Sequence, residues 1–407
     1  MAGTSALDRK TLSEGLAADA AKYLSPNYGE RKIAFTEGKG CWLYTPEGDR
    51  YLDLLGGIAV CCLGHCHPRV VRALQEQAEK LFHVSNLFLI EPQVRLAKLL
   101  VEHTFADQAF FCNSGAEANE AALKLAKKVA QDSGEPTRFE VVSLIDSFHG
   151  RTIATLSSSG QNKLHEGFKP LIPGFSYVTA HDIQEVTERV NEKTCAVIVE
   201  PIQGESGVRP LSVEYLRLLR EICDENSALL IFDEIQSGMG RTGKFFAHDH
   251  SGVEADIVTL AKGLGNGFPI GAVLARKQIM KHLTPGSHGT TFGGNPLACA
   301  SAVATLETLF EEGYLDRVES TSKILFSELK GLKKKFPKRI KEIRGLGLMV
   351  GIEFDDATPI YNALMEKKIV TNLIRGKTIR LLPPYVVTEE EIHFFVETLK
   401  AILEDEA

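Results

Sequence analysis

The 407-residue chain has no apolar run close to the roughly 20 residues a membrane-spanning helix needs. Its first 25 residues, MAGTSALDRKTLSEGLAADAAKYLS, carry no apolar core of the kind a secretory signal has. The expectation is a soluble, cytoplasmic protein with no membrane partner. Positive charge is not in excess either: 46 Lys and Arg stand against 53 Asp and Glu, a formal net charge of −7, which sets aside a general nucleic-acid-binding surface. The 35 Gly and 16 Pro are scattered, and there is no internal repeat or low-complexity tract, so collagenous, fibrous and disordered classes are excluded. With 44% hydrophobic and 24% charged residues the chain is of ordinary globular composition. At roughly 150 residues per domain its length implies two or three domains.

Spaced metal-ligand pairs are also missing. Of eight cysteines, three fall in CCLGHCH, where Cys61, Cys62, His65, Cys66 and His67 crowd together. Adjacent Cys and a His-Cys-His triplet do not match the spaced pairs of structural zinc, and no second cluster follows, so no metal is expected. Disulfides are not expected in a reducing compartment, and Cys112, Cys195, Cys223 and Cys299 lie in apolar stretches as small hydrophobes.

From about residue 109 to 275, short apolar runs alternate with helical patterns, the signature of a mostly parallel sheet between helices. The expected strands are 109–112, 140–145, 195–199, 228–232, 257–260 and 270–275. Residues 117–131 place Ala118, Ala121, Ala122, Leu125, Ala126 and Val129 on one helix face; residues 213–226 read similarly. Ligands of such a domain gather at the carboxyl ends of its strands. A long helix from about 296 to 330, the segments RGLGLMVGIEF and IRLLPP, and a final helix from 389 to about 403 form a smaller α+β unit. Thr388 and Glu391 box the start of that last helix, and the N-terminal strands KGCWLYTPEGDRYLDL complete the unit. The division is 1–70 as part of the small domain, 71–300 as the large domain and 301–407 as the C-terminal small domain. Lys330 to Arg344 holds eight Lys or Arg and reads as a solvated helix face, not a nucleic-acid patch.

Three features sit at strand ends. After AFFC, the segment NSGAEANEAALKLAKK starts a helix that Ser114 caps and Glu117 boxes, with Gly115 and Ala116 too small to block its N–H groups. Such a terminus suits a phosphate: the dipole contributes about 1 kcal/mol, and several charge-assisted N–H bonds at roughly 1.5–3 kcal/mol each contribute more. It is equally the start of an ordinary well-capped helix. In DEIQ, Asp233 closes the apolar strand ALLIF, where a carboxylate needs either a protonated heterocycle or a structural cation beside it. In LAKGLGNGFPIG, Lys262 closes IVTL among glycines and apolar residues, where lost solvation makes its amine a nucleophile. A phosphate seat, a buried Asp and a desolvated Lys together are what pyridoxal 5'-phosphate requires. Lys262 would form the Schiff base and Asp233 would keep the pyridine nitrogen protonated.

At these residues the chain resembles the class III (ω-amino acid) aminotransferases of the fold type I pyridoxal-phosphate superfamily. The motifs run in order from about Tyr28 to Val387: GGIAVCCLGHCHP, HVSNLF, FFCNSGAEANEAALKLA, FHGRT, VEPIQGESGV, IFDEIQSGMGRTGKFFAHD, LAKGLGNGFPIGA, HGTTFGGNPLA and IRLLPP. The resemblance implies that Phe148 stacks on the cofactor ring, Gln236 touches its 3′ oxygen, and Thr291 reaches the phosphate of a neighbouring subunit, making a homodimer with shared active sites. It further implies that Tyr28, Arg151 and Thr290 contact substrate, Arg151 by gripping a carboxylate. Glu205 and Arg380 resemble a switching pair: Glu205 neutralises Arg380 while an ω-amino donor is bound and releases it for the α-carboxylate of glutamate. An empty buried arginine would otherwise cost roughly several kcal/mol. The implied reaction moves an ω-amino group to 2-oxoglutarate, giving glutamate, with Lys262 as proton shuttle.

The resemblance also implies a donor: GGIAV (56–60) has small side chains where ornithine aminotransferases of this family tend to carry a tyrosine, which leaves room for an acylated amino group and favours acetylornithine. Succinylornithine, N-succinyl-diaminopimelate, ornithine and 4-aminobutyrate stay open, as do an aminomutase or lyase on the same scaffold. GMGRTG spells GxGxxG, but KFFAHDHSG follows it instead of an apolar helix, and Phe245 stands where a phosphate loop needs Ser or Thr.

Overall fold

The computed structural model describes residues 6–405. Its centre is a seven-stranded sheet in the order Gln108–Cys112, Gly271–Ala275, Ile257–Leu260, Leu229–Asp233, Thr194–Val199, Glu140–Leu144, Phe175–Val178. Gly271–Ala275 is antiparallel to both its neighbours, and every other pairing is parallel. Thr194–Val199, Ile257–Leu260 and Gly271–Ala275 are buried along their whole length, as strands covered on both faces must be. The helix Gly115–Asp132 packs Ala118, Ala121, Ala122, Leu125 and Ala126 against the sheet, with Val129 half-buried at the rim of that face. The six strands expected from the sequence are all present. The seventh, Phe175–Val178, escapes notice because it is a short, half-buried edge strand without a clean apolar alternation.

Two smaller sheets flank this one. Glu37–Lys39, Trp42–Tyr44 and Arg50–Asp53 form a meander whose last strand pairs in parallel with Ile369–Val370, so the two halves of the chain share a sheet. The other sheet has the order Glu342–Leu346, Met349–Glu353, Thr378–Leu381, Asn372–Ile374, all antiparallel. The final helix, Glu389–Asp405, is boxed by Thr388 and Glu391 as expected, and Glu391 also accepts from the Trp42 indole at 2.7 Å.

Two expectations need correction. The stretch read as one helix from 296 to 330 is two, Pro296–Glu311 and Tyr314–Lys335, separated at Gly313 with φ +68°. The apolar pattern continues across the break because both helices bury Leu309, Tyr314 and Val318 in one core. The basic segment is helical only to Lys335; Lys338 lies in a turn, and Arg344, in the strand Glu342–Leu346, is tied to Glu342, Glu353 and the Gly207 carbonyl.

A Cβ at Gly313 would meet nothing within 4 Å, so the cost of a side chain there is backbone strain alone. Gly313→Ala is expected to destabilise the chain by about 1–2 kcal/mol, read as a lower urea midpoint; an unchanged midpoint would contradict the left-handed break.

Candidate active site

The carboxyl ends of the parallel strands open on a cavity of about 440 Å³. The order of strands brings distant segments to one rim. Asn113 to Ala116 follow Cys112, Phe148 to Arg151 follow the strand ending at Leu144, Glu200 follows Val199, Asp233 ends its own strand, and Lys262 follows Leu260. Gly115, Ala116, Phe148, Arg151, Asp233, Gln236 and Lys262 all line the cavity.

At the head of the helix Gly115–Asp132 the Ser114 hydroxyl accepts from the Glu117 N–H at 3.2 Å. Glu117 does not complete the box on Ser114 as expected. Its carboxylate accepts from the backbone and side chain of Asn113 instead, at 2.6 and 2.8 Å, and so orders the approach to the helix. The side chain of Asn113 also reaches the Thr290 hydroxyl at 3.2 Å, placing Thr290 beside this terminus. The first N–H groups of a helix have no partners within it, so the terminus offers donors to an anion.

Asp233 is buried, and its surroundings were not read from the sequence. One oxygen, Oδ2, accepts from Asn119 at 2.7 Å and pairs with His149 Nδ1 at 2.8 Å; Oδ1 accepts from the Ile235 N–H at 3.1 Å. Asn119 in turn accepts from Thr259 and donates to the His149 carbonyl. Among the described residues no Lys or Arg is ion-paired with Asp233, so the carboxylate keeps capacity for a positively charged hydrogen-bond donor in the cavity. His149 Nε2 is buried without a partner among the described residues. Close by, buried Glu200 accepts from the N–H groups of Phe148 and Gly204 at 2.9 and 3.2 Å. Burial and the nearby charge of Asp233 push its carboxyl up to about 7, against the opposing pull of His149.

Lys262 follows its strand with φ +44°, a left-handed conformation unusual for a residue with a side chain. Burial lowers its ammonium below the ordinary lysine range; Arg380 acts in the same direction, while Glu205, Asp233 and Glu200 oppose it. The CCLGHCH segment braces this loop: Asn266 accepts from the Leu63 N–H at 2.8 Å, and Cys62 Sγ donates to the Gly263 carbonyl. His65 pairs with buried Asp53 at 2.6 Å, which pushes its imidazolium up to about 10. Among the described residues no group of three or more His, Cys, Asp or Glu is placed to hold a metal.

Arg380 has no exposed surface. Its Nη1 donates to Glu205 Oε1 at 2.6 Å, Gln236 Oε1 at 3.0 Å and the Gly204 carbonyl at 3.1 Å; Nη2 donates to Asn372 at 2.7 Å. Gln236 also donates to Glu205 at 3.2 Å, closing a ring of three side chains. Burial alone would raise the Glu205 carboxyl, but the charge and hydrogen bond of Arg380 outweigh it and hold the group below the usual range. Arg151 is exposed at the cavity mouth, its guanidinium 5.7 Å from the Phe148 ring centre. Five expected site residues do not line the cavity in the single chain: Thr290 reaches it through Asn113, and Glu205 and Arg380 through Gln236, whereas Thr291 is exposed on the surface and Tyr28 is 78% exposed.

The sequence matches the class-III aminotransferases over residues 23–403. It is 46% identical over 388 residues to the acetylornithine aminotransferase of Caldanaerobacter subterraneus, covering 94% of this chain and 98% of that protein. It is likewise 46% identical to the acetylornithine aminotransferase of Methanocaldococcus jannaschii, covering 94% and 96%. The ornithine aminotransferase of Toxoplasma gondii, whose active site is described as partly occupied by PLP, superposes with a TM-score of 0.92 at 37% identity, covering 97% of this chain and 95% of that one. The acetylornithine aminotransferase of Elizabethkingia anophelis superposes with a TM-score of 0.86 at 32% identity, covering 97% and 99%. This chain belongs to the class-III aminotransferase family.

The raised carboxyl of Glu200 has a definite sign in folding. Between its ordinary 4.5 and about 7 the folded chain keeps a proton that the unfolded chain has released, so stability falls as pH rises through that window. Glu200→Gln removes the loss. Relative to wild type, its unfolding free energy is expected to improve by about 3 kcal/mol between about pH 5 and about pH 8, at 1.36 kcal/mol per pH unit. Parallel pH profiles would contradict the assignment.

Proposed function

We propose that the chain transfers the terminal amino group of N2-acetyl-L-ornithine to 2-oxoglutarate, giving N-acetyl-L-glutamate 5-semialdehyde and L-glutamate, a step of arginine biosynthesis. The observation that carries this reading is the buried Arg380, answered by Glu205 within the same group of charges as Lys262. A site for one substrate has no need of an arginine whose counter-charge sits on a separate, partly exposed side chain. A site that must accept glutamate and an ω-amino donor in turn does.

The residues of the cavity fit pyridoxal 5'-phosphate. The terminus at Ser114 to Ala116 would take its phosphate, Phe148 would stack on the ring, Gln236 would meet its 3′ oxygen, Asp233 the ring nitrogen, and the Lys262 amine its carbonyl carbon. Bound there, the cofactor supplies an electron-withdrawing ring that eases removal of a proton from the carbon bearing the amino group. Asp233, oriented by His149 and Asn119, would accept from the ring nitrogen. Lys262, desolvated toward its neutral form, takes the proton from the substrate carbon and returns it. Arg151 grips the carboxylate far from the reacting end. Glu205 covers Arg380 while the ω-amino donor is bound and gives way to the α-carboxylate of glutamate. Val60, the last residue of the small-residue segment 56–60, lines the cavity, and this supports an acylated donor. The 0.92 superposition on an ornithine aminotransferase keeps ornithine as the second reading.

Residues 71–300 form the cofactor-binding unit in this proposal, with 1–70 and 301–407 closing over it. The functional unit is a homodimer. Leu81, Phe82, Leu87, Phe88, Leu89 and Phe292 are all exposed, Leu89 to 94%, and the ring of His83 lies 5.3 Å from that of Phe292, so an apolar face is assembled beside Thr291. A second copy would cover it, with Thr291 of each subunit reaching the phosphate seat of the other.

With 2-oxoglutarate as acceptor, kcat/KM for acetylornithine is expected to exceed that for ornithine and 4-aminobutyrate by at least about tenfold, and ornithine ranking first would overturn the donor assignment. Lys262→Ala is expected to slow turnover by at least about 10²–10⁴-fold. Sedimentation should give twice the 44.6 kDa of one chain, and Phe88→Asp should yield inactive monomers; a fully active Phe88→Asp monomer would refute the shared site.

A further inference from the structure

Arg380 is held by more than the carboxylate that answers its charge. Its strand lies between two others, and its direct cross-strand neighbours are Gly351 on one side and Asn372 on the other. A Cβ at Gly351 would stand 2.9 Å from the Gly207 carbonyl and 3.2 Å from the Val208 Cβ. The bare glycine therefore lets the segment 204–208 lie against the sheet, where Gly204 and Glu205 reach Arg380. On the opposite side Asn372 presents its amide oxygen to Nη2 at 2.7 Å. An asparagine facing a guanidinium N–H must offer oxygen, since arginine has no acceptor.

The donors of Arg380 are unevenly engaged. Nη1 has three acceptors for its two hydrogens, Nη2 has Asn372, and buried Nε has no partner among the described residues. If Glu205 withdraws, Nη1 keeps the Gly204 carbonyl and Gln236, and Nη2 keeps Asn372. The guanidinium then stays in place, held by neutral groups only, with its full charge facing the position Glu205 has left.

We propose that Asn372 is a positioning and specificity residue for the dicarboxylate half of the reaction. It fixes the guanidinium of Arg380 through a neutral acceptor, so that one removable carboxylate, that of Glu205, decides whether the charge is available. The proposal rests on reading Glu205 and Arg380 as a switching pair. A carboxylate at position 372 would sit at the same distance and neutralise Arg380 permanently. The ω-amino donor would hardly notice, because Arg380 is already neutralised when it binds; glutamate and 2-oxoglutarate would lose their counter-charge.

Asn372→Asp, which preserves shape, tests this in the cofactor-loaded enzyme. Two quantities are measured: the Kd of glutarate, an unreactive dicarboxylate, by calorimetry, and the ratio of kcat/KM for glutamate to that for acetylornithine in separate half-reactions. Asn372→Asp is expected to weaken glutarate at least about tenfold and to lower the ratio by a similar factor. Asn372→Leu, similar in size but without an acceptor, should raise the glutamate KM severalfold with a smaller change in kcat. A ratio and a glutarate Kd within about twofold of wild type in Asn372→Asp would overturn the proposal. Glu205→Gln separates the two levels. If it slows the acetylornithine half-reaction while Asn372→Asp changes neither quantity, the switch stands and the role of Asn372 is lost. If it leaves that half-reaction unchanged, the switching reading falls and takes this proposal with it.

Discussion

A guanidinium with no exposed surface has to be answered by an acceptor of opposite charge in every state of the site, because stripping it of water and leaving it alone costs several kcal/mol. Arg380 is that group, and much of the surrounding architecture follows from it. Its strand is flanked by a glycine that admits the 204–208 segment and by an asparagine that engages the second Nη. Gln236, three residues past the strand that ends in Asp233, reaches across to the same guanidinium and ties the small antiparallel sheet to the large one. The electrostatics of the two sheets meet in this ring of three side chains.

The large sheet solves a second, related problem. Six strands run in one direction, so their carboxyl ends deliver Asn113 to Ala116, Phe148, Glu200, Asp233 and Lys262 to one rim without any long loop. Each titratable group there is met locally: Asp233 by His149 and Asn119, Glu200 by two backbone N–H groups with its carboxyl pushed up to about 7, and Lys262 by burial that lowers its ammonium below the ordinary range. The overall charge of −7 is no guide to such a place. In the proposed function, anionic substrates would be met locally by Arg151, Arg380 and a helix terminus.

Much of this was legible in the sequence because period and position carry it. Wholly buried strands read as unbroken apolar runs, and Asp233 and Lys262 stand out as polar residues closing such runs. What stayed hidden depends on contacts between remote segments. Asn119 looks like one more polar residue on a helix until the fold places it 2.7 Å from Asp233, 114 residues away; His149 lies 84 residues from the same carboxylate. Glu200 and Asn372 carry no local signal, since their significance is the backbone amides and the guanidinium that tertiary structure brings to them. The break at Gly313 was hidden for the opposite reason, as two helices that share a core preserve one apolar stripe. CCLGHCH carries no sign in the sequence of what it touches, and in the structure it is a brace, with Cys62 and Leu63 fastened to the loop after Lys262.

The account stands on the exchange of Glu205 for a substrate carboxylate at a guanidinium that does not move. The most direct measurement is a crystal structure of the cofactor-loaded enzyme with glutarate bound. Glu205 should have left Nη1, now 2.6 Å away, with a glutarate carboxylate in its place and the 2.7 Å bond from Nη2 to Asn372 intact. Glutarate bound elsewhere, with Glu205 still on Arg380, would contradict it.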